Sequence, residues 1–109
     1  MNPIEKMTKA LVDFRDARDW EQFHNSKDLA LALSIEAAEL NELFLWKKAD
    51  EVDLPRLKEE LADVLAYSLL LAHKHKLDVE QIVMDKIKLN AIKYPLDKAK
   101  GNSKKYREL

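Results

Sequence analysis

Two pairs of carboxylates hold most of the chemical information in this 109-residue chain. Glu36 and Glu39 form one pair, Glu60 and Asp63 the other. Acids three residues apart are neighbours on one face of a helix. Projected on a helical wheel, each pair shares its arc with apolar residues rather than with other charges. Leu29, Ala32, Leu40 and Leu43 lie beside the first pair, and Val64, Tyr67, Leu70 and Leu71 beside the second. Arg56, one turn before Glu60, is the only cation on either arc. Burying an unpaired carboxylate is costly, so such a set must be protonated, paired or bound to metal. Oxygen-only donors select hard cations, Mg²⁺ or Mn²⁺. Mg²⁺ in particular keeps waters and binds substrate phosphates, which points to a phosphate-bearing substrate. Glu42, Glu51 and Glu59 read as surface charges. A di-iron site needs Glu-x-x-His, which does not occur, and His73 and His75 read as surface histidines.

The acids need helices to hold them, and four can be punctuated. The first runs from about Pro3 to Asp19, with Asn2 as N-cap and Pro3 in the first turn. Ile4, Met7, Leu11 and Phe14 recur along it at helical spacing. A connector follows, Trp20 to Asn25, with large aromatics in a polar setting. The second helix spans about Ser26 or Asp28 to Lys48. The third begins at an Asp53 cap and ends near Lys76. The fourth begins at Asp78, with Gln81 completing a capping box, and stops before Pro95. The second and third are apolar nearly all round. They are expected to be buried on each other and on another subunit, with the first and fourth helices outside.

Composition agrees with an all-α, four-helix bundle-like fold. Leu and Ala dominate the apolar residues, and there is one Gly and no Cys. Leu and Ala lose little rotamer freedom in a helix. A single Gly excludes a glycine-rich phosphate loop, and the lack of Cys excludes thiolate metal sites and disulfides. No apolar run approaches a membrane span and the N-terminus lacks a signal-peptide stretch, so a cytoplasmic protein is expected. The net charge is −1. With no long basic stripe, nucleic acid is not an expected partner. From about residue 95 a polar tail carries five cations against two acids between Asp97 and Glu108.

The motif Glu36-Ala37-Ala38-Glu39, followed by Glu60-Leu61-Ala62-Asp63, resembles the E-x-x-E…E-x-x-D signature of MazG-like nucleoside triphosphate pyrophosphohydrolases. The segments Arg18–His24, Glu42–Lys47, Lys93–Pro95 and Gly101–Tyr106 are similar to its dCTP pyrophosphatase-like branch. The resemblance covers most of the chain and implies one MazG-like domain over 1–109. It implies a homo-oligomer, a tetramer more than a dimer, that cleaves a nucleoside triphosphate to monophosphate and pyrophosphate with Mg²⁺. Glu36, Glu39, Glu60 and Asp63 would be metal ligands. Trp20 and Trp46 would form the base pocket, with Phe23 and His24 near it. Tyr67 and Asn90 would contact sugar or phosphate, and Lys86 phosphate. Phosphoribosyl-ATP pyrophosphohydrolases and dimeric dUTPases share the acidic-helix plan, but the Trp segments favour the dCTP-like branch. The alternative is a non-catalytic helical dimerisation module whose acids are structural.

Overall fold

The computed structural model describes all residues from Met1 to Leu109 and contains helices and turns but no strand. Five helices follow one another: α1 (Pro3–Ala17), α2 (Ser26–Glu42), α3 (Leu54–Lys74), α4 (Val79–Lys93) and the short α5 (Leu96–Ala99). The chain divides into two compact units, Met1–Leu77 and Asp78–Leu109.

Side chains set the helix starts. Asn2, Asn25, Asp53 and Asp78 each accept the backbone N–H three residues on, at 2.8, 2.9, 3.4 and 3.0 Å. Each cap satisfies a donor that has no partner inside the helix, typically worth about 1 kcal/mol. The capping box at α4 is only half formed, because the Gln81 amide donates to Asp85 instead of reaching back.

Two helix ends share one device. At α1, Trp20 N–H reaches the Arg15 carbonyl and Asp19 N–H the Asp16 carbonyl. At α3, Leu77 N–H reaches the Ala72 carbonyl and Lys76 N–H the His73 carbonyl. This is the Schellman arrangement, and it places Asp19 and Lys76 at φ 54° and 56°. Glycine is the usual residue there, and the chain uses a side-chain-bearing one at both ends.

α2 ends at Glu42, six residues before the expected Lys48. Successive turns through Phe44 and Leu45 close it, and Trp46 follows in the left-handed region at φ 62°. The polar tail is ordered rather than plain coil. It contains α5 and a final 3₁₀ turn at Tyr106–Glu108. Tyr106 packs edge-on against Tyr94 with ring centres 6.1 Å apart, and Lys93 lies over its ring.

α2 and α3 pack along each other, and α1 packs on α3. Ser26 Oγ lies 2.8 Å from His75 Nε2, which joins the start of α2 to the end of α3 and makes the pair antiparallel. The core on this seam is small: Leu29 (2% exposed), Leu43, Leu69, Leu70 and Ala72. The stripe that α1 turns inward is Ile4, Thr8, Leu11, Val12 and Arg15, whereas Met7 and Phe14 are exposed. Arg15 sits at the centre of that stripe, because positions 4, 8, 11 and 15 share one helical face.

α2 and α3 are expected to bury their apolar surface on each other and on another subunit, and one chain by itself does not cover them all round. Leu31 and Ile35 on α2, and Leu61 and Leu65 on α3, remain exposed. The fourth helix, expected outside, exposes apolar side chains as well as polar ones. Ile82, Val83, Met84, Ile87, Leu89 and Ile92 are exposed around it, Ile92 by 77%.

The left-handed helix ends yield a test. Lys76 is exposed and its side chain makes no hydrogen bond or ion pair. Removing its Cβ relieves a clash that costs about 1 kcal/mol in the left-handed region. Lys76→Gly should therefore raise the unfolding free energy by up to about 1 kcal/mol, seen as a higher urea midpoint with the m-value unchanged. A lower midpoint would contradict the strain.

Candidate metal and nucleotide site

The antiparallel pairing that sets Ser26 beside His75 also brings the second half of α2 to the second turn of α3. Carboxylate oxygens of Glu36, Glu60 and Asp63 all come within 4.8 Å of one another. Glu39, the fourth expected acid, borders the group, and its charge and hydrogen bonding act on both Glu36 and Glu60. Glu36 and Glu60 are half-buried, Glu39 and Asp63 exposed. One oxygen of Glu36 and one of Glu60 are buried without a hydrogen-bond partner. Neither Arg56 nor any other cation bridges to the four; the ion pairs of the chain are Lys9–Asp13, Arg15–Asp16 and Arg15–Glu21.

Like charges at this spacing resist ionisation. The Glu36 carboxyl is pushed up to about 7, first by burial, then by the hydrogen bond and charge of Glu39 and the charges of Asp63 and Glu60. Glu60 is also raised, by burial, by the charge and hydrogen bond of Glu39 and by the charge of Asp63, against an opposing hydrogen bond from Glu36. Tyr67, half-buried on α3, feels the same field. Burial and the charges of Glu36, Asp63 and Glu39 raise its phenol, so it faces the acids as a protonated donor. Orphaned oxygens, mutual repulsion and missing counter-charge together fit a hard divalent cation held by these side chains.

The aromatic candidates belong to the first unit, and Lys86 and Asn90 to the second. Trp20, 43% exposed, meets Phe14 edge-on at 5.8 Å, and the Arg18 guanidinium lies 3.5 Å above the Phe14 ring. Phe23 is exposed in the 3₁₀ turn Glu21–Phe23. His24 is half-buried, and its Nδ1 is buried without a partner. Burial and then the Arg15 charge lower its pKa, so the ring is neutral near pH 7. Trp46 is 94% exposed and meets no other aromatic ring. The two tryptophans make no direct ring contact with each other. In the second unit, Lys86 and Asn90 lie one turn apart on α4, lining a shallow groove with Ile82, Val83 and Ile87.

Arg15 was not among the residues that the sequence singled out. Its one signal is its place in the register of Ile4 and Leu11, a charge where the stripe calls for an apolar side chain.

Comparison with known proteins agrees with this geometry. A family described as MazG-like matches residues 31–109. The chain is 40% identical to human dCTP pyrophosphatase 1 over 114 residues, spanning 97% of this chain and 67% of that protein. It is 39% identical to dCTP pyrophosphatase 1 of Bos taurus, spanning 97% and 68%. The crystal structure of a pyrophosphatase from Archaeoglobus fulgidus superposes with a TM-score of 0.81 at 36% identity, covering 87% of this chain and 94% of that one.

The acidic cluster predicts an inverted pH dependence of stability. A carboxyl whose pKa is higher folded than unfolded favours the fold below its unfolded pKa, and this contribution is lost as pH rises through the folded value. For Glu36 that window runs from 4.5 to about 7. Metal-free protein should melt at progressively lower temperature between pH 5 and 8, with the loss reduced in Glu36→Gln and by millimolar Mg²⁺. A melting temperature flat across that range in EDTA would argue against the repulsion.

Proposed function

The chain belongs to the MazG-like family and is a nucleotide pyrophosphohydrolase, and from that premise we propose that it cleaves deoxynucleoside triphosphates of the dCTP type to the monophosphate and pyrophosphate with Mg²⁺. The observation that carries this reading is the convergence of Glu36, Glu60 and Asp63, with Glu39 beside them, where no cation of the chain balances their charge. A divalent cation held there supplies neutralisation of phosphate oxygens and activation of water; Mn²⁺ meets the same donor requirement.

The chain's own residues do the rest. Glu36, Glu39, Glu60 and Asp63 would hold the cation, and their fixed positions on α2 and α3 would set where the triphosphate is presented for attack at the α–β phosphoanhydride. A carboxylate of the set that the cation would leave free orients the attacking water or takes its proton. The Tyr67 phenol donates to sugar or phosphate oxygen. Trp20 and Trp46 stack on the base, with Phe23 and His24 beside it, and Lys86 and Asn90 contact phosphate or sugar. A base stacked on an aromatic face gains roughly 1–3 kcal/mol.

The active unit is a homo-oligomer, a tetramer built as a dimer of dimers, working in the cytoplasm with residues 1–109 as one catalytic domain. The exposed apolar residues on α2, α3 and α4 support this, since a monomer avoids large apolar patches. Trp46 supports it too. Almost wholly exposed in one chain, it becomes half of a base pocket when a neighbouring subunit supplies the other side. A non-catalytic helical module would leave the orphaned oxygens of Glu36 and Glu60 without a purpose.

Pyrophosphate release from a panel of nucleotides, with and without Mg²⁺, tests the reading. Glu36→Gln, Glu39→Gln, Glu60→Gln and Asp63→Asn should each lower kcat by on the order of 10²–10³-fold, as removal of a transition-state charge stabiliser does. Their metal-free melting temperatures should stay level or rise, because each substitution relieves repulsion. Near-normal turnover in two of the four would sink the site. Sedimentation at micromolar concentration should show a species several times the 12.7 kDa chain. A stable, active monomer would overturn the shared pocket.

A further inference from the structure

Arg15 is the one buried charged residue of the chain, 7% exposed, and the acidic site makes no use of it. A guanidinium occupying the inward stripe of α1 is unfavourable unless its partners compensate. Those partners lie at the segment that leaves α1. Arg15 Nε donates to Asp16 Oδ1 at 3.0 Å, and its Nη2 stands 3.9 Å from Glu21 Oε2 in the 3₁₀ turn. Its carbonyl also accepts from Arg18 N–H at 3.2 Å and from Trp20 N–H at 3.1 Å. The Arg15 carbonyl thus closes the reversal out of α1, and the Arg15 guanidinium stands within ion-pair range of Glu21 in the turn that follows. That reversal presents Trp20 and leads into His24, whose buried Nδ1 has no partner within the chain.

We propose that Arg15 is a positioning residue for nucleotide binding: its buried guanidinium, drawn toward Glu21, fixes the Arg18–His24 segment so that Trp20 and His24 meet the nucleotide already in place. This rests on the assignment of Trp20 and His24 to the substrate. The guanidinium is suited to the role because it is always charged and its planar fork can hold Asp16 and Glu21 at once, whereas a lysine offers one point charge. Ordering the segment before binding removes that cost from the binding step, so its effect falls on KM rather than on the chemical step.

The test compares Arg15→Met, Arg15→Lys and Glu21→Gln in steady-state hydrolysis of dCTP with saturating Mg²⁺, with Trp20→Ala alongside. Arg15→Met should raise KM roughly 5–20-fold with kcat within about twofold, and Arg15→Lys and Glu21→Gln should fall between it and the unaltered protein. In a Trp46→Phe background, Arg15→Met should make Trp20 emission more accessible to acrylamide. A merely structural arginine would lower the melting temperature and the active fraction but leave KM in place. If Arg15→Met fails to fold, Arg15→Lys and Glu21→Gln decide the matter through the same shift in KM. KM within about twofold of the unaltered protein in every folded variant overturns the proposal. If Trp20→Ala raises KM while the Arg15 and Glu21 variants do not, the substrate assignment stands and only the positioning role falls. If Trp20→Ala leaves KM unmoved, the assignment fails and takes this proposal with it.

Discussion

Four carboxylates confront one another across the seam between α2 and α3, and the chain provides no positive charge to balance them. Most other features of the first unit follow from holding that arrangement. Each helix carries its acids one turn apart, so neither can turn one acid away without turning both. The antiparallel pairing brings the two pairs to the same level. The small core of Leu29, Leu69, Leu70 and Ala72 on the same two helices, with Leu43 at the end of α2, opposes their separation. Stability is thus spent on a pre-formed anionic site, a trade that recurs at catalytic centres.

The surroundings of the site are built with less covering. One chain buries few large side chains completely, and much apolar surface on α2, α3 and α4 stays in contact with solvent. Helix formation does not rely on that core alone. Side-chain caps at four helix starts and two Schellman ends close the backbone hydrogen bonding locally. Such local closure stabilises each helix independently of the small core.

Backbone conformation and function meet at the turns. Asp19, Trp46 and Lys76 all adopt positive φ, although glycine is available to evolution at any position. Asp19 has a local reason, since the Gln22 amide donates to both its carbonyl and its carboxylate at 3.0 Å. Trp46 has none within the chain, where it is almost wholly exposed. The single glycine, Gly101 at φ 72°, serves the turn after α5.

Several features were legible in the sequence because they are local. The all-α class follows from composition, and the caps at Asn2, Asp53 and Asp78 from residue type beside a helical pattern. The acidic pairs follow from i, i+3 spacing on apolar arcs, which a wheel shows without coordinates. The early end of α2 was not legible, since Phe44, Leu45 and Trp46 continue an apolar pattern that a helix could also have used. Nor was the inward face of α1. Met7 and Phe14 match the spacing as well as Thr8 and Arg15 do, and only packing on α3 decides which set turns in. Sequence determined which groups carry charge and how they are spaced along each helix, because propensity, capping and periodicity act over a few residues. Tertiary structure alone decided that acids more than twenty residues apart share one space, that two of their oxygens are orphaned and that Arg15 is buried, because these depend on the rotation and register of one helix against another.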